Sequence, residues 1–136
     1  AKSKDGLHFS PPKEWAFNDG AVLGSYNTQQ HWVRHSDALY LVYTRRGADN
    51  DEVFRHRAPL FMAEVDVQNL QIIRSTEHVM VPNRGVALGN FGTMEVNQNE
   101  TWITVAEYMR GEENVAADNS VFTARILWER PNLISK

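Results

Sequence analysis

The sequence contains no cysteine, which excludes disulfides and thiolate metal sites. No apolar run approaches the roughly 18 residues that a membrane-spanning helix needs, and the N-terminal residues lack the apolar stretch of a signal peptide. Nor does any stretch of about ten residues carry the apolar stripe of an amphipathic helix. We therefore expect a soluble β-protein with no membrane partner, and the sequence leaves its compartment open.

The composition is that of one globular domain, and the charge is too acidic for a general nucleic-acid binder. The 136 residues are 42% hydrophobic and 23% charged, with a net charge of −3. Ten of the 14 basic residues are nevertheless arginine, and five of these lie between Arg34 and Arg57. This local excess favours a small anionic or hydroxylated ligand over a nucleic-acid backbone.

What the sequence does contain is a spaced self-similarity. Residues 37–43 are echoed by residues 99–105, an offset of 62 residues (99 − 37). Residues 58–65 fall on residues 120–127 at the same offset. Repetition of a β-unit at a fixed period is typical of propellers and solenoids, in which each unit buries its faces against its neighbours.

Alternation of apolar and polar residues predicts seven strands, each bounded by turn signals. They are expected at residues 29–34, 39–44, 59–66, 70–81, 92–97, 101–109 and 121–128. Asp, Asn and Ser, which hydrogen-bond to their own backbone in turns, mark hairpins at residues 35–37, 66–69 and 97–100.

This order of strands predicts two four-stranded propeller-type blades that are circularly shifted by one strand. The first unit supplies strands A to D, the second supplies A to C, and residues 7–15 stand where a leading D strand belongs, which gives D-ABCD-ABC. We expect a single all-β domain over residues 1–136. The first blade with its leading strand covers residues 1–81, and the second blade covers residues 82–136.

The lone D strand and the unpaired C strand are exposed edges, which invite pairing with another chain. Since two blades are too few to close a ring, we expect a homo-oligomer in which the N-terminal strand of one subunit completes the last blade of the next. Three copies would form a six-bladed β-propeller. Two or four copies, or a fragment of a larger propeller, are the alternatives.

In such blades the D–A and B–C connections share one face, and in this sequence they are the long polar loops. Residues 24–30 and 84–90 make the D–A connections, and residues 45–57 and 108–119 make the B–C connections. The opposite face has only short hairpins. Because long loops on one face of a rigid scaffold usually carry binding or catalysis, we place the functional site there.

These segments resemble a known family. Residues 31–50, 53–66 and 88–92 are similar to the C-terminal blades of bacterial sialidase-like propeller proteins. Residues 3–9 resemble a shortened Asp-box, the hairpin motif Ser-x-Asp-x-Gly-x-Thr-Trp of sialidase blades, with one residue missing and His8 in place of Thr. The resemblance implies a six-bladed fold and glycan or glycoside chemistry at the mouth of the channel.

The resemblance also implies a ligand site on the loop face. Sialidases of this kind hold the substrate carboxylate with three arginines, which here would be Arg46, Arg55 and Arg57. Amides at the channel mouth would bond sugar hydroxyls, and Tyr26 would be a platform for the sugar ring. The predicted ligand-binding residues are Tyr26, Asn27, Gln29, His31, Arg46, Arg55, His56, Arg57 and Asn90.

The same resemblance implies a catalytic set. Glu107 would be the base, Tyr108 the nucleophile, and Asp51 or Asp49 the acid that protonates the leaving group. Adjacent residues of a strand point to opposite faces, so Glu107 and Tyr108 share the channel only if the strand ends or bulges there.

Each of these residues also has a structural interpretation. Salt bridges of Arg55 and Arg57 with the acidic residues 49–52 would simply order the loop, and His31 would be a core histidine. The tryptophans are interpreted as blade-to-blade packing rather than sugar platforms. Residues 49–52 lack the spacing of a calcium loop, and we expect neither a metal nor a cofactor.

Two functions therefore stay open. One is a glycoside hydrolase of sialidase type, and the other is a non-catalytic, multivalent glycan-binding assembly. Both predict a carbohydrate or small anionic ligand as the partner.

Overall fold

The protein is all-β, as predicted. The computed structural model describes residues 1–26, 28–108 and 118–134, which form two antiparallel sheets and, apart from two single 3₁₀ turns, contain no helix. None of the helical segments in these described ranges has the length and apolarity to cross a membrane.

The first sheet is an antiparallel meander. Its strands are β1 (His31–Arg34), β2 (Leu39–Tyr43), β3 (Leu60–Asp66), β4 (Gln71–Ile72) and β5 (His78–Val81). Strands β1 to β4 pair in chain order, and β5 pairs with β3, beside the part of β3 that pairs with β4. The predicted hairpin after β3 is confirmed, because the Asp66 carboxylate accepts hydrogen bonds from the backbone of Gln68 and Asn69.

The prediction of one continuous strand over residues 70–81 is wrong. A 3₁₀ turn, Arg74–Thr76, separates β4 from β5. The Thr76 hydroxyl donates to the Ile73 carbonyl at 2.7 Å and accepts from the Glu64 N–H of β3 at 2.9 Å. A side chain thus takes the place of a backbone partner in the ladder, and the fourth strand is split into two short pieces.

The second sheet is a meander of three longer strands, β6 (Leu88–Asn97), β7 (Glu100–Glu107) and β8 (Val121–Leu127). Strand β6 begins four residues before its predicted start, and β7 ends at Glu107. The end of the predicted strand, Met109, lies outside the described residues. Because β8 pairs only with β7 among the described residues, its other edge is open.

The two sheets pack against each other over the main core. Val33, Val42 and Met62 of the first sheet pack against residues of the second sheet, which include Phe91, Ile103, Val105 and Ile126. Strand β1 contacts β6, and β5 contacts β8. The strands of both sheets therefore run in the same order across the stack.

The N-terminal segment covers the other face of the first sheet. Phe17 and Leu23 pack with Leu41, Tyr43 and Phe61 in a second core. Phe17 also forms a parallel bridge with Ile72 of β4, so this segment extends the sheet at its rim. Residues 7–15, predicted as a leading strand, form no strand in the isolated chain apart from one bridge of Phe9 to Ser3.

The pairing register corrects the internal repeat. Tyr40 pairs with Glu64 in the first sheet, and Trp102 pairs with Arg125 in the second. If Trp102 matches Tyr40, Arg125 matches Glu64, so the offset in the third strand is 61 residues (125 − 64) rather than 62. This correction matters because a slip of one residue assigns every side chain to the wrong face.

With the corrected register, matching residues of the two sheets face the same way along the stack. Phe61 faces the N-terminal segment, and its match Phe122 faces the first sheet. In the other direction, Leu60 and Val33 face the second sheet, while their matches Val121 and Met94 lie on the exposed outer face, with 73% and 54% of their surface accessible. The sheets thus stack front to back.

Candidate anion-binding face

The predicted loops do share one edge of the molecule. The segment before β1, the long connection between β2 and β3, the segment before β6 and the residue after β7 are joined there by backbone hydrogen bonds. Leu88 donates to the Arg57 carbonyl at 3.0 Å, and Tyr108 donates to the Ala87 carbonyl at 2.7 Å. Arg46 donates to the Gly24 carbonyl at 3.2 Å. We call this edge the arginine face.

Tyr26 lies at the centre of the arginine face, and 41% of its surface is exposed. The guanidinium carbons of Arg46 and Arg55 lie 5.4 Å and 5.8 Å from the centre of its ring. The ring of His56 lies 6.3 Å away and is tilted by 31°. Two cations and two rings therefore converge, in an arrangement that cation–π attraction stabilises.

Arg57 continues the cluster towards the second sheet. Its Nη2 donates to the Asn90 Oδ1 at 2.8 Å. Burial lowers the pKa of Arg57, and the nearby positive charge of Arg55 lowers it further, whereas Tyr108 acts in the opposite direction. Arg57 is thus held near Arg55, and their like charges repel each other.

These three arginines differ from the other arginines that the structure describes. Each of the other six has a carboxylate partner within 4 Å. The pairs are Arg34–Glu95, Arg45–Glu77, Arg74–Asp19, Arg84 with both Glu107 and Asp118, Arg125–Glu100 and Arg130–Asp37. Within the described ranges, no carboxylate pairs with Arg46, Arg55 or Arg57. The described arginines that have no carboxylate partner among the described residues therefore lie on one face.

The acidic residues of the same loop are used elsewhere. Asp51 lies 3.4 Å from the His56 Nε2, and Glu52 accepts a hydrogen bond from Asn83 at 2.9 Å, which lowers the pKa of Glu52. The salt bridges by which these residues would order the arginines do not form. No group of three or more His, Asp or Glu side chains in the described part of the chain is arranged to hold a metal ion.

Buried Asn50 orders the loop instead. Its amide donates to the carbonyls of Arg45 and Ala58 at 2.9 Å and 2.7 Å, which ties the two ends of the connection together. Asp49, Arg55 and His56 have φ of 51°, 54° and 52°, a left-handed conformation that non-glycine residues rarely adopt. Such strain is found at functional sites, and here it directs Arg55 and His56 to Tyr26.

The predicted catalytic residues are only partly brought together. Glu107 is buried, and its Oε2 accepts from the backbone of Asp118 and Ser120 at 3.1 Å and 3.3 Å, while Arg84 lies 3.5 Å from its Oε1. This carboxylate orders the start of β8. Tyr108 is 48% exposed at the end of the strand, beside Arg57. The side chain of Asp51 is almost fully exposed, at 96%.

Gln29 and His31 join the two sheets. The Gln29 amide donates to the Phe91 carbonyl at 3.0 Å and accepts from the Phe91 N–H at 3.2 Å, and it also contacts the His31 ring. His31 in turn packs edge-on against Phe91 at 5.2 Å. The contacts of both side chains are therefore structural, since they link the two sheets. Asn27, predicted to bind ligand, lies outside the described residues.

Sequence patterns did not indicate the polar network under the arginine face. Glu77 accepts from Arg45 Nε at 2.8 Å and from the Tyr43 hydroxyl at 2.7 Å, and the Arg45 guanidinium carbon lies 4.6 Å from the centre of the Phe61 ring. Burial and the bond to Glu77 raise the pKa of Tyr43. The sequence did contain one signal for this network. Tyr43 and Arg45 are two residues apart and so point to the same face of a strand, where their buried polar groups would need a partner.

No protein-family model, curated protein or solved structure matches the chain. The resemblance to sialidase-like proteins therefore stays a hypothesis, and function has to be inferred from the geometry of the site.

Proposed function

We propose that the arginine face binds a carboxylated sugar, or a small anion of similar shape, as part of a sialidase-like, propeller-type protein. The observation that carries the proposal is that Arg46 and Arg55 flank the exposed ring of Tyr26 and Arg57 lies near Arg55, while none of the three has a carboxylate partner among the described residues. Guanidinium groups bind carboxylates in bidentate geometry, and an aromatic ring offers an apolar surface to a sugar. An anion there would relieve the repulsion between Arg55 and Arg57.

The geometry favours binding over hydrolysis. The Glu107 carboxylate already accepts two backbone hydrogen bonds and lies against Arg84, so it is poorly placed to take a proton from Tyr108. Hydrolysis of sialidase type is the second candidate, and the exposed position of Tyr108 beside Arg57 is the observation in its favour.

Titration calorimetry with N-acetylneuraminic acid tests the binding proposal. We expect saturable binding to the wild type and a loss of affinity of at least about tenfold in Arg55→Gln, since a charge-assisted contact contributes about 1.5–3 kcal/mol. Arg125→Gln is the matched control, because Arg125 is paired with Glu100 on a different surface. Equal weakening by both substitutions, or no binding by the wild type, would refute the site.

A fluorogenic sialoside tests the second candidate. Turnover that disappears in Tyr108→Phe while N-acetylneuraminic acid still binds would establish hydrolysis. Binding without turnover would leave the protein as a glycan-binding module, which is the outcome we expect.

We also propose that the two sheets are consecutive propeller-type blades in a homo-oligomer, with a trimer favoured. Three observations support this proposal: the sheets stack front to back, β1 lies beside β6, and the outer face of the second sheet exposes the matches of buried Leu60 and Val33. In a propeller such a face is covered by the next blade. Light scattering at low micromolar concentration is the test, with a mass near three times the 15.6 kDa chain expected.

A further inference from the structure

We propose a second ligand site, for an uncharged sugar, in the groove between the first strands of the two sheets. This groove has a volume of about 400 Å³, within the range of small-molecule sites. It is lined by residues of β1, β6 and β7, which are Trp32, Val33, Arg34, Thr93, Met94, Glu95 and Thr101. None of them belongs to the arginine face, so the site goes beyond the function proposed above.

The walls of the groove are held in fixed positions. Thr93 Oγ1 donates to the Trp32 carbonyl at 3.4 Å, and Arg34 Nη2 lies 3.3 Å from Glu95 Oε1. Two residues before β1, the side-chain amide of Gln29 is hydrogen-bonded to the backbone of Phe91 in β6. Side chains on the strands of two packed sheets present a ligand with a preformed surface, which lowers the entropy lost on binding.

Trp32 provides the apolar surface of the groove. Trp32 is 47% exposed, although the ring of Trp15 packs edge-on against its indole at 5.9 Å. The indole N–H of Trp102 donates to Glu100 and that of Trp128 donates to Thr101, whereas that of Trp32 has no acceptor among the described residues. A large exposed ring with an available donor is typical of ligand contact rather than of core packing.

The Arg34–Glu95 pair decides the ligand class. Its charges compensate each other, so the groove attracts neither an anion nor a cation, in contrast to the arginine face. The two side chains are 62% and 26% exposed, and the pair uses only one Nη2–Oε1 contact. The other N–H donors of Arg34 and the second carboxylate oxygen of Glu95 have no partner among the described residues. Adjacent donors and acceptors match vicinal hydroxyls, each of which both donates and accepts.

An uncharged pyranose combines the required features. Its C–H face can lie on the exposed part of Trp32, while its hydroxyls reach Arg34, Glu95 and the Thr93 hydroxyl. An aliphatic ligand would leave the ion pair without partners, and a charged ligand would compete with it. The interpretation of Trp32 as a purely packing residue is therefore replaced by one in which its exposed face binds a sugar.

NMR titration with uncharged methyl glycosides of glucose, galactose and N-acetylglucosamine tests this site. We expect one of them to shift the Trp32 indole N–H resonance saturably, with that resonance assigned by its absence in Trp32→Phe. The Trp102 indole, on the outer face of the second sheet, should not move. Affinity should fall about tenfold or more in Trp32→Ala, as expected for loss of a stacking ring, and no more than twofold in the control Trp102→Ala.

Arg34→Gln is the second variant in case Trp32→Ala does not fold, and it should weaken the same glycoside. Arg55→Gln should leave that glycoside unaffected, which separates this site from the arginine face. The proposal is overturned if no glycoside moves the Trp32 resonance at tens of millimolar, or if the resonances that move are those of the Tyr26 cluster.

Discussion

At the scale of single residues, the Arg45–Glu77 pair is an ion pair in which both side chains are largely buried. Only 14% and 13% of the two side chains is exposed, and Tyr43 adds a third hydrogen bond. Glu77→Gln should lower the free energy of unfolding in urea by about 3 kcal/mol, because it leaves a buried guanidinium without its countercharge. Glu95→Gln, which breaks an exposed pair, should cost less than about 1 kcal/mol. Similar losses in both variants would contradict this assignment.

The same carboxylate predicts how stability depends on pH. Burial raises the pKa of Glu77, but the hydrogen bonds from Arg45 and Tyr43 outweigh burial, so the pKa lies below its ordinary value of 4.5. A lowered pKa in the folded state stabilises the fold above the ordinary value, and this stabilisation is lost as the pH falls through the folded pKa. The difference in unfolding free energy between wild type and Glu77→Gln should therefore shrink between pH 5 and pH 3. A constant difference would show that the pKa of Glu77 is the same in the folded and unfolded states.

The residues of the arginine face could be predicted from the sequence, but not their arrangement. Clustering of Arg46, Arg55 and Arg57 in one loop was visible as a local excess of arginine. The sequence did not show whether Asp49, Asp51 and Glu52 would neutralise these arginines. The answer depends on the positive φ of Asp49, Arg55 and His56, a conformation that non-glycine residues rarely adopt.

At the scale of elements, alternation located the strands well because each sheet has one face in the main core. It missed the break in the fourth strand, where the Thr76 hydroxyl replaces a backbone partner, and it misplaced the repeat by one residue in the third strand. Both depend on contacts between strands that are distant in sequence. A periodic pattern along one strand carries no information about such contacts.

The contact between β1 and β6 should depend on Gln29. Gln29→Ala removes both hydrogen bonds to the Phe91 backbone and leaves a partly buried N–H and C=O unsatisfied, at a cost of about 1–3 kcal/mol. We expect faster hydrogen exchange at the Phe91 amide. Gln68→Ala, in an exposed hairpin turn, should leave that exchange rate unchanged. If the exchange rate of the Phe91 amide is also unchanged in Gln29→Ala, the Gln29 side chain does not hold the two sheets together.

At the scale of the whole molecule, the outer face of the second sheet is the feature that a single chain does not explain. Val121 matches Leu60, which is completely buried against the neighbouring sheet, yet 73% of the surface of Val121 is exposed. Large apolar side chains grouped on an exposed sheet face indicate a partner surface. Since the sheets stack front to back, the homo-oligomer proposed above would cover this face with the opposite end of the next copy, in a head-to-tail contact.

Val121→Arg should therefore lower the mass measured by light scattering to that of one 15.6 kDa chain without unfolding it. An arginine at an exposed position costs the monomer little, whereas at a packed interface it buries an unpaired charge. Leu133→Arg, which changes a residue that is 76% exposed near the C-terminus, is the matched control and should retain the oligomer. If both variants keep the wild-type mass above one chain, the copies associate through another surface. If the wild type itself is a monomer, the outer face is not covered by a second copy and the ring proposal fails, while the arginine face can still be tested for binding in the single chain.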